Sequence, residues 1–374
     1  MSEPPKTIQD VPTPAFLVDI DKVKRNCQRM IDRCRHLGIK LRPHMKTHKT
    51  IRGGELMTGG TKRQIVVSTL REAEFYADAG FDDIIYGVLF TRDKLPRLRA
   101  LSLRLETFHV MLDSDYAIKL LEDDPLPDGK LWSVFLLADC GCNREGVAWD
   151  GDTVVALARR LQDSKSITFQ GLYVHDGHSY HAQGQEAIRA CADDAADKMA
   201  KLAERLKAEG IRVDNYGTGS TPSSSVPGEK ARLLTEMHPG NYIFYDAWQA
   251  LLIGSCDLDD VAVRVATRVT GHYPDKNLLL VDCGFLGISH DGKGQFGRSN
   301  CVVQGHPDLE LVDMSQEIGK MQSKSGTLNY PELPIGSMLL LYPYHACATA
   351  ANHPVYYVHS GDKIVDMWYP CRGW

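Results

Sequence analysis

The sequence predicts an α/β fold, a (β/α)8 TIM-like barrel followed by a mainly antiparallel β domain, and three observations carry that reading. Short apolar runs alternate with amphipathic stretches as far as residue 254, the pattern of parallel strands joined by crossover helices. From residue 255 onward the long helices stop and strands separated by turns take over. At 374 residues the chain also exceeds the usual single core, so one large domain with a smaller one is expected. The expected division is an N-terminal segment at 1–18 that pairs with the β domain, the barrel at 19–254, and the β domain at 255–374.

Taken in order, the strand-like runs fall at 39–43, 64–68, 83–87, 109–112, 132–139, 169–174, 214–217 and 234–238, which makes eight. Helical periodicity lies between them at 21–37, 70–79, 113–123, 153–162 and 183–209, several stretches opening on a Ser or Asp cap. Right-handed crossovers would close such units into a barrel. In the second domain the strands are expected at 262–270, 277–283, 310–314, 337–342 and 354–359, with loops at 289–297 and 323–334. The apolar run at 13–18 can join that sheet.

A net charge of −5 with 24% charged residues provides no basic stripe for nucleic acid and no polybasic membrane anchor, which leaves small-molecule chemistry. No run of 18 apolar residues and no apolar leader is visible, so a cytoplasmic protein with reduced thiols is expected, its ten cysteines mostly packing as small hydrophobes. Cys140 and Cys142 form a C-x-C at a strand end; without a second pair nearby, packing is favoured over metal binding.

Barrel chemistry sits where the strands end. Pro43 has no N–H, so ladder pairing is expected to fail there, and the next side chains, His44, Met45, Lys46, Thr47 and His48, should leave the rim. A lysine in that position, between imidazoles, can form a Schiff base with a carbonyl cofactor; the alternative is a solvated surface lysine. Arg144, past the fifth strand, can donate to a cofactor oxygen or pair with Glu145.

After the sixth strand, alternation puts Tyr173 and His175 on one face, where a ring can stack on His175, and Tyr180 follows in the same stretch. His175, His178 and His181 can also be read as a metal cluster, although Gly and Ser make this a loop. Gly219, Ser220 and Thr221 follow the seventh strand and Gly240 and Asn241 the eighth, the places where barrels hold phosphate. Late in the chain, His345 and Cys347 lie two apart on an extended segment, which suits a shared Zn²⁺ or a buried Cys beside a satisfied His. A third ligand is missing from this pair; His353, His359 and Cys371 are the candidates.

Pro-His-Met-Lys-Thr-His at 43–48, Tyr-x-His-x-Gly-His-Ser-Tyr at 173–180, Gly-Ser-Thr-Pro at 219–222, His-Pro-Gly-Asn-Tyr at 238–242 and the late His-x-Cys together resemble the eukaryotic-type D-serine dehydratases. These are alanine-racemase-like, fold type III enzymes that use pyridoxal phosphate, and the likeness spans nearly the whole chain. It implies that Lys46 holds pyridoxal 5′-phosphate and His175 stacks on its ring, with Gly219, Ser220, Thr221, Gly240 and Asn241 around its phosphate. Tyr173, Tyr180 and Arg144 match positions near the cofactor. His345 and Cys347 match the Zn²⁺ ligands of the dehydratases, where related D-threonine aldolases pair His with Asp.

The activity so implied is elimination of water from D-serine to give pyruvate and ammonia, by a homodimer whose β domains help complete each other's sites. D-threo-3-hydroxyaspartate dehydratase and D-threonine aldolase are the enzymatic alternatives. A noncatalytic pyridoxal-phosphate carrier would normally lack the long β domain. One departure is Ile318, where relatives are expected to read Glu-His-Gly.

Overall fold

A computed structural model describes residues 3–374, which divide into two compact units: residues 27–242 with 371–374, and residues up to 26 with 243–370. The first two residues of the predicted 1–18 segment lie outside the described residues.

The first unit is the barrel. Its strands are Lys40–Leu41, Arg63–Val67, Asp82–Tyr86, Phe108–Leu112, Trp132–Asp139, Ile167–Val174, Asn215–Thr218 and Glu236–Met237, each parallel to its neighbour around the order. Closure between the first and second strands rests on a single parallel bridge, His44 to Val66. Here the structure departs from the expectation that pairing fails at Pro43. The ring removes an N–H but leaves a carbonyl, and that carbonyl accepts from Val66 N at 3.0 Å while His44 N donates to Pro239 O at 2.9 Å. The segment leading to Lys46 is therefore the seam of the barrel.

Alternation along the strands sends Val66, Ile85, Met111, Phe135, Leu137 and Tyr173 into one buried cluster. At about 1.5–3 kcal/mol for each large apolar side chain, such a cluster is a leading stabilising term. The sixth strand slips register between Val134 and Phe135 of its neighbour, and Gly171 absorbs the irregularity. Its φ is +144°, and a Cβ there would sit 1.8 Å from Asn215 O, so only glycine fits. Threonines cap two rim helices: Thr50 Oγ1 accepts from Gly53 N and Thr69 Oγ1 from Glu72 N.

In the second unit a mostly antiparallel sheet is built on the long strand Val263–Tyr273. That strand pairs with Ala15–Asp19 and Met338–Pro343 along its first half and with Leu278–Val281 along its second, changing partners at an irregularity between Val269 and Gly271. Ala15–Asp19 also runs parallel to Tyr356–Ser360. Ile8, Val11, Ala15, Leu17, Ala266 and Tyr357 form a core cluster on this sheet. Among the described residues no helix is long and apolar enough to cross a membrane, and all ten cysteines are free thiols.

Candidate active site

The seam strand gives way to a single 3-10 turn, Met45–Thr47, capped by His44, whose Nδ1 accepts from Lys46 N at 3.3 Å. Met45, Thr47 and His48 on either side are buried, while Lys46 is exposed at the mouth of the barrel.

Around Lys46 the structure gathers groups from other strand ends. The charges of Lys46 and Arg144 both act on the His44 and His175 rings. Burial first, then Lys46 and Arg144, pulls His175 down to about 3 and His44 well below its usual value, so both imidazoles are neutral near pH 7. His175 Nδ1 donates to Gly219 O at 2.9 Å, which fixes the tautomer and leaves Nε2 with its lone pair. Arg144 pairs with Glu145, and the Asp139 carboxylate accepts from the N–H groups of Gly141, Cys142 and Asn143, which shapes the loop carrying Arg144. Tyr180 is half-buried in the 3-10 turn Gly177–His181.

The loops after the seventh and eighth strands lock together. Thr221 Oγ1 accepts from Asn241 N at 2.9 Å, and Ser220 Oγ lies 2.6 Å from Ser179 Oγ and 2.9 Å from Ser223 Oγ. Glycines allow the approach: a Cβ on Gly219 would lie 2.5 Å from His238 N, and one on Gly240 would lie 3.0 Å from His44 O. The cup is thus made of small, buried, hydroxyl-bearing residues with backbone close at hand, the donor set a phosphate needs.

Beneath this mouth lies a polar relay that sequence reasoning missed. His238 stacks on Tyr173 with ring centroids 4.1 Å apart and planes 5° apart, and its Nε2 donates to Glu236 Oε1 at 2.9 Å. Glu236 accepts from Arg42 Nε at 3.1 Å, Arg42 Nη1 donates to Asp83 at 2.6 Å, and Asp83 accepts from His109 Nε2 at 3.2 Å. His109 Nδ1 then takes the Ser133 hydroxyl at 2.7 Å.

Every link follows from the carboxylates being acceptors only, and it leaves buried His238 Nδ1 with no hydrogen-bond partner. Burial raises the Glu236 carboxyl, but the Arg42 charge and the His238 bond outweigh it and hold it well below the usual range. The detectable signal was charge in or beside short strands: Glu236 lies in the last barrel strand and Arg42 directly after the first, where apolar residues are the rule. Alternation put Tyr173 and His175 together, yet the strand ends at Val174, so Tyr173 joins the interior and His175 the mouth.

In the β unit the pair does not lie on an extended segment as expected: Met338–Pro343 leads into the short helix Ala346–Ala351, with His345 at its N-cap and Cys347 in its first turn, and the two share a side-chain hydrogen bond. His345 Nδ1 lies 2.6 Å from Asp291 Oδ2, a carboxylate from the loop predicted at 289–297. Burial opposes protonation of His345, but Cys347 and Asp291 push it up to about 11. Neither His353 nor His359 joins the pair, since their nitrogens face Gly287 O, and Arg264 with Gly361 O. Cys371 belongs to the barrel unit, its N–H bonded to Lys49 O.

Among the described residues no group of three or more His, Cys, Asp or Glu is placed to hold a metal ion. This covers the His175, His178 and His181 reading as well. Cys140 is buried, and its carbonyl accepts from Lys198. Ile318 is exposed on the loop joining Leu309–Met314 to Gly319–Ser323, its carbonyl accepting from Ser315 N.

Residues 18–247 match the family model "Alanine racemase, N-terminal domain", and residues 262–359 match the model "Putative serine dehydratase domain". The chain is 35% identical to a D-serine dehydratase of Dictyostelium discoideum over the whole of both sequences. It is also 35% identical to a D-serine dehydratase of Schizosaccharomyces pombe, over 99% of this chain and 94% of that one. Among solved structures, D-threo-3-hydroxyaspartate dehydratase from Delftia sp. HT23 superposes with a TM-score of 0.92 at 31% identity, covering 99% of this chain and 100% of the other.

Proposed function

The chain belongs to the D-serine dehydratase family of alanine-racemase-like, fold type III lyases, and from that membership we propose that it eliminates water from D-serine, giving pyruvate and ammonia. The observation that carries the proposal is the convergence on Lys46 of a neutral His44, a neutral His175, Arg144 and the interlocked 219–221 and 240–241 loops.

Those residues fit pyridoxal 5′-phosphate. The closely approaching loops, with Gly219, Ser220, Thr221, Gly240 and Asn241, offer an anion cup, and the unpartnered Nδ1 of buried His238 is a polar atom awaiting a ligand. Lys46 would hold the aldehyde carbon, His175 would lie against the ring, and Arg144, Tyr173 and Tyr180 would border it. When bound, this cofactor supplies an electron sink for the charge left on Cα.

The chain itself must do the rest. Lys46 Nζ, exposed at the mouth, would be the base that takes the Cα proton when it is not holding the aldehyde carbon. A neutral His175 presents an uncharged ring face and does not compete as a proton donor at Lys46. Arg144, with Glu145 as its counter-ion, balances the anionic charge of cofactor and substrate. His345 and Cys347 would hold Zn²⁺, which supplies Lewis-acid stabilisation of a departing hydroxide.

Incubating the purified protein with D-serine, L-serine, D-threonine and D-threo-3-hydroxyaspartate, with and without added Zn²⁺, tests this. Pyruvate from D-serine, lost on chelation, supports the reading; glycine plus an aldehyde from D-threonine would identify an aldolase instead. Faster turnover of D-threo-3-hydroxyaspartate would favour the second reading, which the fold match to that dehydratase supports. A homodimeric, cytoplasmic enzyme completes the proposal.

A further inference from the structure

His345 is held on every side. Tyr344 before it stacks on Trp248 with centroids 5.0 Å apart, and the His345 ring meets Trp248 edge-on at 5.9 Å and 72°. After it, Ala346 N donates to the buried Asp246 carboxylate at 2.9 Å. What remains free is rotation of the imidazole, and Asp291 removes it: Oδ2 lies 2.6 Å from Nδ1. A carboxylate accepts only, so Nδ1 keeps its proton, and Nε2 is the nitrogen that gives up its proton and offers a lone pair when a metal ion binds.

Asp291 is itself located. Its N–H donates to Ser289 Oγ at 3.1 Å, and Ser289 O accepts from Asn300 Nδ2 at 2.8 Å. The next residue, Gly292, packs so closely on Tyr344 that a Cβ would fall 2.0 Å from the ring, with φ at +75°. Thus the residue before His345 seats the loop that carries its carboxylate partner. Loop and turn form one interlocked piece.

We propose that Asp291 is the positioning residue of the metal site: it fixes the tautomer and ring orientation of His345, so that Nε2 is the metal-binding nitrogen beside the Cys347 thiolate. The inference rests on reading His345 and Cys347 as the metal pair. A carboxylate on the far nitrogen of a metal-bound imidazole raises its basicity and prevents the ring from turning away.

The test is Zn²⁺ affinity of the full chain, by competition with a chromophoric chelator, for the wild type, Asp291→Ala, Asp291→Asn and His345→Ala. Asp291→Ala should bind Zn²⁺ about 10–100-fold more weakly, the usual cost of losing such a partner. Asp291→Asn, whose amide oxygen can still accept from Nδ1–H, should recover most of that loss. With Co²⁺ in place of Zn²⁺, the thiolate-to-metal absorption band from Cys347 should persist in Asp291→Ala while the ligand-field bands shift.

Wild-type affinity in Asp291→Ala would overturn the proposal. So would equal loss in Ala and Asn variants down to the His345→Ala level, which would make Asp291 a ligand. A wild-type chain that binds no Zn²⁺ would overturn the metal pair itself, an outcome distinct from both.

Discussion

In the barrel unit the reactive groups converge from five strand ends, whereas in the β unit they come from the start of one short helix and a single loop some fifty residues earlier in the chain, His345 with Cys347 and Asp291. The barrel groups are held by backbone: His175 by Gly219 O, Thr221 by Asn241 N, and the seam by Pro43 O and His44 N. The β-unit group is held by side chains, through a carboxylate and a stacked Tyr344–Trp248 pair. A backbone-built site tolerates many side-chain changes and fails when loops are forced apart. A side-chain-built site fails when one partner is lost.

Substitutions in the two units probe this contrast. The largest effect is expected at the one barrel side chain without a backbone substitute: Lys46→Ala should lower pyruvate formation by about 10⁴-fold, the upper end for one acid–base group, because the same amine is also the anchor. Steady-state assays check this, with circular dichroism showing the fold intact. Next comes the relay beneath the mouth. Glu236→Gln leaves buried Arg42 with half its countercharge and should cost about 3–5 kcal/mol of stability by urea unfolding. A change under about 1 kcal/mol would mean the relay is not an integral part of the barrel.

A smaller effect is expected at Gly219→Ala. The added methyl must separate the two loops, costing about 1–3 kcal/mol. The variant should bind pyridoxal phosphate more weakly but leave Zn²⁺ affinity unchanged; loss of both would erase the contrast between the units.

The smallest effect is the response to acid. His48 and His175 are both depressed to about 3 from an ordinary 6.5, mainly by burial, so the folded state keeps them neutral while the unfolded chain takes up protons. Their contribution is complete above about pH 6.5 and is lost as pH falls toward the folded values. Melting temperature should therefore drop between about pH 7 and pH 5, and His48→Gln should flatten that slope.

The eight barrel strands could be read from the alternation of strand-like and helix-like runs, although the first and last proved short, two residues each, since the seam is stitched by single bonds around Pro43. Rim residues could be named because strand counting fixes which loop follows which strand. The relay could not: Arg42, Asp83, His109 and Glu236 are scattered through the sequence, and only closure of the barrel brings them into line. Asp291 was hidden for a related reason, being one polar residue in a glycine-rich loop with nothing local to mark it. Pairing of Gly319–Ser323 was also missed, its sequence carrying little β-character of its own.

On the proposed function, the amine at the barrel seam is where the carbonyl cofactor is held. Loading the protein with pyridoxal phosphate, reducing it with borohydride and mapping the peptides by mass spectrometry tests this most directly. One phosphopyridoxyl group is expected, on Lys46, and none in the Lys46→Ala variant. Labelling of a different lysine, or equal labelling of the variant, would contradict it.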